Sequence, residues 1–379
     1  MRSVSSSPRV LVRDGMRHRR ISGYGQLARM ILLSLAERED VAVFREASER
    51  AWEDVPRREE IERLPTAWPA EVDVELWIAP PSVTFPSKKR VPRVFYTQHA
   101  LSELPPDWAA NIANVDVVVV PGEFDRAAFE RHHERVHVCH QVVDDTVFKP
   151  RPAWRAEGPD RFTFLFVGSF SYRKGVDVLL RAFCTAFPGT EAELWLLCPG
   201  AGGAAFNRTL KLVQSLQPRA RVRFFTDTLS PAWVSRFYNR VDAFVSLTRG
   251  EGWCMPLHEA VLCRKPAIVS RSTAMAEAFS DEHVHFVGTE PVEVATVEDG
   301  FGKGMVRSYG HGGCCLYEPD LDKAVERLRS VAAGDGISEE RTTRAAQHVR
   351  STFTLPSMGD RLTSILSEAA GASPANDEG

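Results

Sequence analysis

No run of the 379-residue sequence approaches the apolar length needed to cross a membrane, and the opening Met-Arg-Ser-Val-Ser-Ser-Ser-Pro lacks the apolar core of a signal peptide. Export by that route is not expected, and the expected location is the cytoplasm. The seven cysteines, at positions 139, 184, 198, 254, 263, 314 and 315, are odd in number and form no Cys-x-x-Cys pair. They read as reduced small hydrophobes rather than a disulfide framework. A net charge of only −3 leaves no general basic surface for nucleic acid, so any anionic ligand must be met by local positive groups. One such group, Arg17-His18-Arg19-Arg20, reads as a solvated basic loop or as a peripheral contact with an anionic membrane surface. His132, His133, His137, Cys139 and His140 cluster without a zinc spacing, and 136–139 alternates like a strand, which would turn successive ligands to opposite faces. No metal site is expected.

What is present is strand, loop and helix in repeated order. Strands are expected at 9–13, 41–44, 74–78, 93–97, 115–121, 162–167, 194–198, 222–225, 241–247 and 267–270, most followed by an amphipathic helix. That alternation predicts α/β architecture with doubly wound parallel sheets. The length suits two domains, divided as 1–150 and 151–350, with 351–379 a closing helical segment and a disordered tail.

The chemistry concentrates in two loops. The first is Arg249-Gly250-Glu251-Gly252-Trp253-Cys254-Met255-Pro256, between the strand at 241–247 and a helix over 257–264 with Pro256 at its first position. Its β-α-β context places Glu251 and Glu259 at the edge where parallel sheets bind ligands. Glu259 in an early helical turn also suits the helix dipole alone, whereas Glu251 between two glycines marks a tight bend or a close approach. The second loop is Gly168-Ser169-Phe170-Ser171-Tyr172-Arg173-Lys174-Gly175, which opens a helix over 176–187. Loop amides, the helix dipole and the cations Arg173 and Lys174 make it a phosphate site, though the spacing is not that of a Walker A loop. In the amino-terminal half, Gly23 and Gly25 flank Tyr24 in a loop before a helix over 26–37. His99 follows the strand at 93–97, where it can hydrogen-bond a ligand hydroxyl or be satisfied by backbone.

Glu251, the following glycine and aromatic, Pro256 and Glu259-Ala260 together resemble the E-x7-E segment of the retaining glycosyltransferases of family 4. That resemblance implies the GT-B fold, two Rossmann-like domains with a cleft between them, and a nucleoside diphosphate sugar as donor substrate with no further cofactor. It implies that Glu251 lies by the donor sugar and that Glu259 holds the ribose hydroxyls. Gly168, Ser169, Gly252, Trp253, Cys254 and Met255 would line the donor, Lys174 and Arg173 would stabilise the departing diphosphate, and Gly23, Gly25 and His99 would face the cleft. Two positions depart from the family pattern: Ser169 stands where arginine is usual, and Gly252-Trp253-Cys254 replaces Gly-Phe-Gly. The implied reaction is hexosyl transfer to a glycan, lipid-linked or small-molecule acceptor. A nucleotide-sugar epimerase and a non-catalytic sugar-nucleotide binder remain as rivals at this point.

Overall fold

A computed structural model describes residues 7–15, 17–46, 51–67, 71–86, 91–200, 202–293 and 314–371. The glycine-rich stretch 310–313 and the tail beyond Gly371 lie outside the described residues. The chain divides into two compact units, the first comprising 1–99, 104–143 and 352–379, the second 100–103 and 144–351.

In the first unit, β1 (Arg9–Arg13), β2 (Ala42–Arg45), β3 (Val74–Ile78), β4 (Arg93–Tyr96), β5 (Val117–Val120) and β6 (Val136–Val138) form one sheet in the order β2-β1-β3-β4-β5-β6. Every pairing is parallel. The four valines of β5 are all fully buried, as a strand covered on both faces requires. The covering helices are α1 (Gly23–Ala36), α2 (Arg58–Glu62), α3 (Pro106–Ile112) and α4 (Glu123–Phe129).

α1 starts earlier than its apolar stripe indicates, because the Ser22 hydroxyl caps it by accepting the Gly25 amide at 3.0 Å. Gly23 and Gly25 therefore belong to a helical turn, not to a loop. A Cβ on Gly25 would lie 2.3 Å from the Arg20 carbonyl oxygen and 2.5 Å from that of Arg17. The chain's last helix also packs in this unit, where a Cβ on its Gly359 would come within 2.6 Å of the Ser34 carbonyl of α1. Two backbones in that close contact need glycine between them.

The second unit opens with α5 (Pro152–Arg155) and carries β7 (Phe162–Val167), α6 (Val176–Ala186), β8 (Ala192–Leu197), α7 (Gly203–Leu216), β9 (Arg221–Phe225) and α8 (Pro231–Arg240). β10 (Ala243–Ser246), α9 (Met255–Leu262), β11 (Ala267–Ser270), α10 (Thr273–Ala278) and β12 (His285–Val287) follow. The strand order is β12-β11-β10-β7-β8-β9, all parallel. β13 (Thr289–Glu293) and β14 (Cys315–Pro319) pair antiparallel, in the stretch least readable from sequence, before α11 (Leu321–Ala332) and α12 (Glu339–Thr352). α13 (Leu355–Gly371) is the helix that packs on α1. β7 has β8 on one side and β10 on the other, so the strand order reverses between β7 and β10. Loops leaving the carboxyl ends of those two strands diverge to opposite faces and leave a crevice, the usual ligand position in an open parallel sheet.

Candidate active site

The loop after β7 meets the loop after β10 at that crevice. Tyr172–Lys174 makes a single 3-10 turn closed by Gly175, whose φ is +64°. A Cβ there would lie 1.7 Å from the Leu247 carbonyl oxygen, so only glycine lets the turn rest on the end of β10. The Arg173 carbonyl accepts the Arg249 amide at 2.7 Å and the Thr248 hydroxyl at 2.9 Å.

Side chains complete the junction. Arg173 Nη1 donates to the Gly250 carbonyl at 2.6 Å and to Glu251 Oε2 at 2.9 Å. Lys174 Nζ donates to Glu251 Oε1 at 2.5 Å. Each oxygen of the Glu251 carboxylate thus has its own cation, while the Glu251 amide donates to Thr273 Oγ1 at 3.1 Å. Burial pushes the Glu251 carboxyl up, but Lys174 and Arg173 outweigh it and hold the group below its ordinary value. The carboxylate is ionised at neutral pH. Arg173 and Lys174 thus stand side by side on one carboxylate at the crevice.

The corner that follows is rigid. Trp253 is 1 % exposed and stacks on His258 with ring centroids 5.0 Å apart at 19°. Cys254 precedes α9 with φ +65°, a left-handed backbone that glycine adopts freely and a side-chain residue adopts at a cost of about 1 kcal/mol. This explains the glycine usual in the resembling family, and cysteine keeps the same backbone here. Burial pushes the Cys254 thiol up to about 12, so it stays protonated. α9 begins at Met255, which puts Pro256 at its second position instead of its first. The next helical turn brings Glu259, whose Oε2 accepts from the Tyr238 hydroxyl at 2.9 Å. Burial, reinforced by Glu259, raises the Tyr238 phenol well above its ordinary value and keeps it a neutral donor.

The structure therefore joins Arg173, Lys174 and Glu251, and places Gly168, Ser169, Gly252, Trp253, Cys254, Met255 and Glu259 on the same two loops and the helix they lead into. Gly168 has Phe166 beneath it, 3.0 Å from where a Cβ would stand, and Ser169 donates its hydroxyl proton to Ser171 Oγ at 3.2 Å. The loops after β8 and β9 are tied by Gly200 N–H to the Thr226 carbonyl at 2.9 Å.

Gly23, Gly25 and His99 belong to the first unit. The His99 amide donates to Asp125 Oδ2 at 3.1 Å and its ring meets Trp108 edge-on at 5.1 Å. The 17–20 run is drawn into the fold: His18 Nδ1 is 2.8 Å from Asp14, Arg19 lies over Trp52, and Arg20 pairs with Glu53. Of the histidine cluster, His133 and His140 hydrogen-bond backbone carbonyls. Among the described residues no group of three His, Cys, Asp or Glu side chains could hold a metal ion, and no helix is long and apolar enough to cross a membrane.

Three contributors were missed in the sequence: Thr273, Tyr238 and Arg249. Thr273 has φ +50°, which no local pattern signals. Tyr238 sits in an ordinary amphipathic helix. Arg249 adjoins Gly250-Glu251, and its buried position is invisible without its partners.

Residues 152–303 match the family described as Glycosyl transferases group 1. Solved structures share the fold at low identity. HepE of Anabaena, solved in complex with UDP and glucose, is 13% identical with a TM-score of 0.64, over 95% of this chain and 99% of that one. Sucrose-phosphate synthase from Thermosynechococcus elongatus is 16% identical with a TM-score of 0.66, over 97% and 100%. WaaG, a glycosyltransferase involved in lipopolysaccharide biosynthesis, is 13% identical with a TM-score of 0.59, over 95% and 99%. No curated protein matches the sequence. Two Rossmann-like units of six parallel strands make this the GT-B fold. With the matched segment lying in the second unit, the protein is a glycosyltransferase.

Proposed function

We propose that the protein transfers a sugar, a hexose in the first instance, from a nucleoside diphosphate sugar to an acceptor hydroxyl, with retention at the anomeric carbon and without a metal. The observation that carries this reading is the trio Lys174–Glu251–Arg173 at the switch point of the second sheet. In the reaction the bond from the anomeric carbon to the terminal phosphate oxygen breaks, and its electron pair leaves with the diphosphate. The acceptor oxygen takes its place on that carbon and gives up its proton to an oxygen of the departing diphosphate. Charge grows on the leaving oxygen, and Lys174 and Arg173, already fixed, neutralise it without reorganisation. Their two charges stand in for a cation.

Glu251 is assigned to the hydroxyls of the donor sugar. Glu259, oriented by Tyr238, is assigned to the ribose, since a carboxylate accepts from both hydroxyls of a cis-diol. His99, at the end of a strand, is assigned a hydrogen bond to a ligand hydroxyl. Retention rests on the family likeness alone. A uridine nucleotide is the first donor to test, because HepE was solved with UDP, with UDP-glucose and with UDP and glucose. The acceptor is a glycan, a lipid-linked sugar or a small molecule, and the cytoplasm is the proposed place of reaction.

A panel of nucleoside diphosphate sugars tests the reading by thermal shift and by nucleotide release with and without acceptors. One donor should raise the melting temperature and release nucleotide in step with glycosylated product. An isomerised donor would indicate epimerisation, and binding without turnover a non-catalytic binder.

A further inference from the structure

Arg249 is 3 % exposed and uses all five of its N–H groups. Nη1 donates to the Tyr172 carbonyl at 2.6 Å and to Asp177 Oδ1 at 2.8 Å. Nη2 donates to Asp177 Oδ2 at 2.8 Å and to Glu318 Oε1 at 2.9 Å, and Nε donates to Glu318 Oε2. The guanidinium carbon lies 3.7 Å from the centre of the Tyr172 ring. One side chain therefore grips the 172–174 turn, the first turn of α6 and β14 together. Its backbone is engaged too, since the amide donates to the Arg173 carbonyl at 2.7 Å and the carbonyl accepts from Tyr317 at 2.8 Å.

We propose that Arg249 is the positioning residue of the diphosphate site: it fixes the turn that carries Arg173 and Lys174 at the height where both cations meet Glu251 and the leaving group. The inference rests on the function proposed above and deepens it. Arg249 is not a phosphate ligand. Two carboxylates already surround its single charge, and no N–H remains to donate. Its effect passes through Tyr172, held at both ring and carbonyl, to the two residues that follow. Without that side chain the turn keeps the bonds of the Arg173 carbonyl to the Arg249 amide and the Thr248 hydroxyl and the contacts of Arg173 and Lys174 with Gly250 and Glu251, but loses its hold on Tyr172. Lysine cannot replace it, because one ammonium with three protons cannot serve two carboxylates and a carbonyl while stacking flat on a ring.

The test compares affinity for UDP with affinity for uridine, by calorimetry, in the wild type, Arg249→Lys and the single variant Glu318→Gln, beside kcat, KM and melting temperature. The Glu318 side chain is 35 % exposed, so Glu318→Gln loosens the clamp on one side while Asp177 keeps a countercharge on the buried Arg249. Arg249→Lys should lower both the UDP-over-uridine preference and kcat by about tenfold or more, as misplacement of reacting groups does, with uridine affinity unchanged. Glu318→Gln should fall in the same direction by a smaller factor, and it decides the matter if Arg249→Lys fails to fold. A lower melting temperature with an unchanged preference and unchanged kcat would overturn the inference and leave Arg249 a structural residue. A wild type with no preference for UDP over uridine would instead overturn the proposed function for this donor class, and the inference with it.

Discussion

At the carboxyl edge of the second sheet, between β7 and β10, two cations converge on one buried carboxylate. At the corresponding edge of the first sheet, after β1, the charges close on each other and on the backbone. There Asp14 Oδ2 accepts from the His18 amide at 2.5 Å and from its ring at 2.8 Å, and Arg29 donates to the carbonyls of His18 and Arg20 at 3.1 and 2.9 Å. Both sheets reverse strand order at this place, β1 against β3 in one and β7 against β10 in the other. Topology thus offers two equivalent crevices, and the charge arrangement separates them. One set of charges is directed at the loop's own backbone, and the other at a side-chain carboxylate.

Two glycines provide the sharpest way to break that comparison. Gly175→Ala would drive a Cβ to 1.7 Å from the Leu247 carbonyl, and Gly25→Ala would drive one to 2.3 Å from the Arg20 carbonyl. Both should destabilise, by about 2–4 kcal/mol, since neither backbone neighbour can yield cheaply. They should differ in function: the folded fraction of Gly175→Ala should lose affinity for UDP, whereas that of Gly25→Ala should keep it. Chemical denaturation beside calorimetry checks both. Equal loss of nucleotide affinity in the two variants would erase the distinction between the edges.

A smaller effect sharpens the contrast within the second edge, where Glu251 is held by formal charges and Glu259 by a phenol. Tyr238→Phe removes the donor to Glu259, a change worth about 1 kcal/mol. Donor KM should rise several-fold with kcat nearly unchanged, because the ribose is bound alike in ground and transition states. A fall in kcat at constant KM would place Glu259 at the reacting carbon instead.

Much of this was legible in the sequence for a specific reason. Buried parallel strands such as 117–120 and 162–167 are near-continuous apolar runs, and turns that start a following helix carry glycine, proline or cations at short range, so Lys174 and Glu251 could each be assigned to a sheet edge. What could not be read were contacts made across the fold. Arg249 lies 72 positions from Asp177 and 69 from Glu318, and Tyr238 lies 21 from Glu259, with no periodicity linking them. The glycines of α1 misled because glycine suggests an open loop, while the Ser22 cap and the 17–20 turn require Gly25 inside a helix. Likewise β13 and β14 pair across a long separation in sequence, which local patterning does not reveal.

The most direct measurement is a double-mutant cycle on turnover with Lys174→Ala, Glu251→Ala and both together. If the two side chains work on one activated sugar, each single change should cost about 10²–10³-fold in kcat and the pair little more than either alone. Losses that multiply would mean that the two side chains act independently and not on one activated sugar, and a single variant with full turnover would mean that the contact between Lys174 and Glu251 serves the fold and that transfer occurs elsewhere.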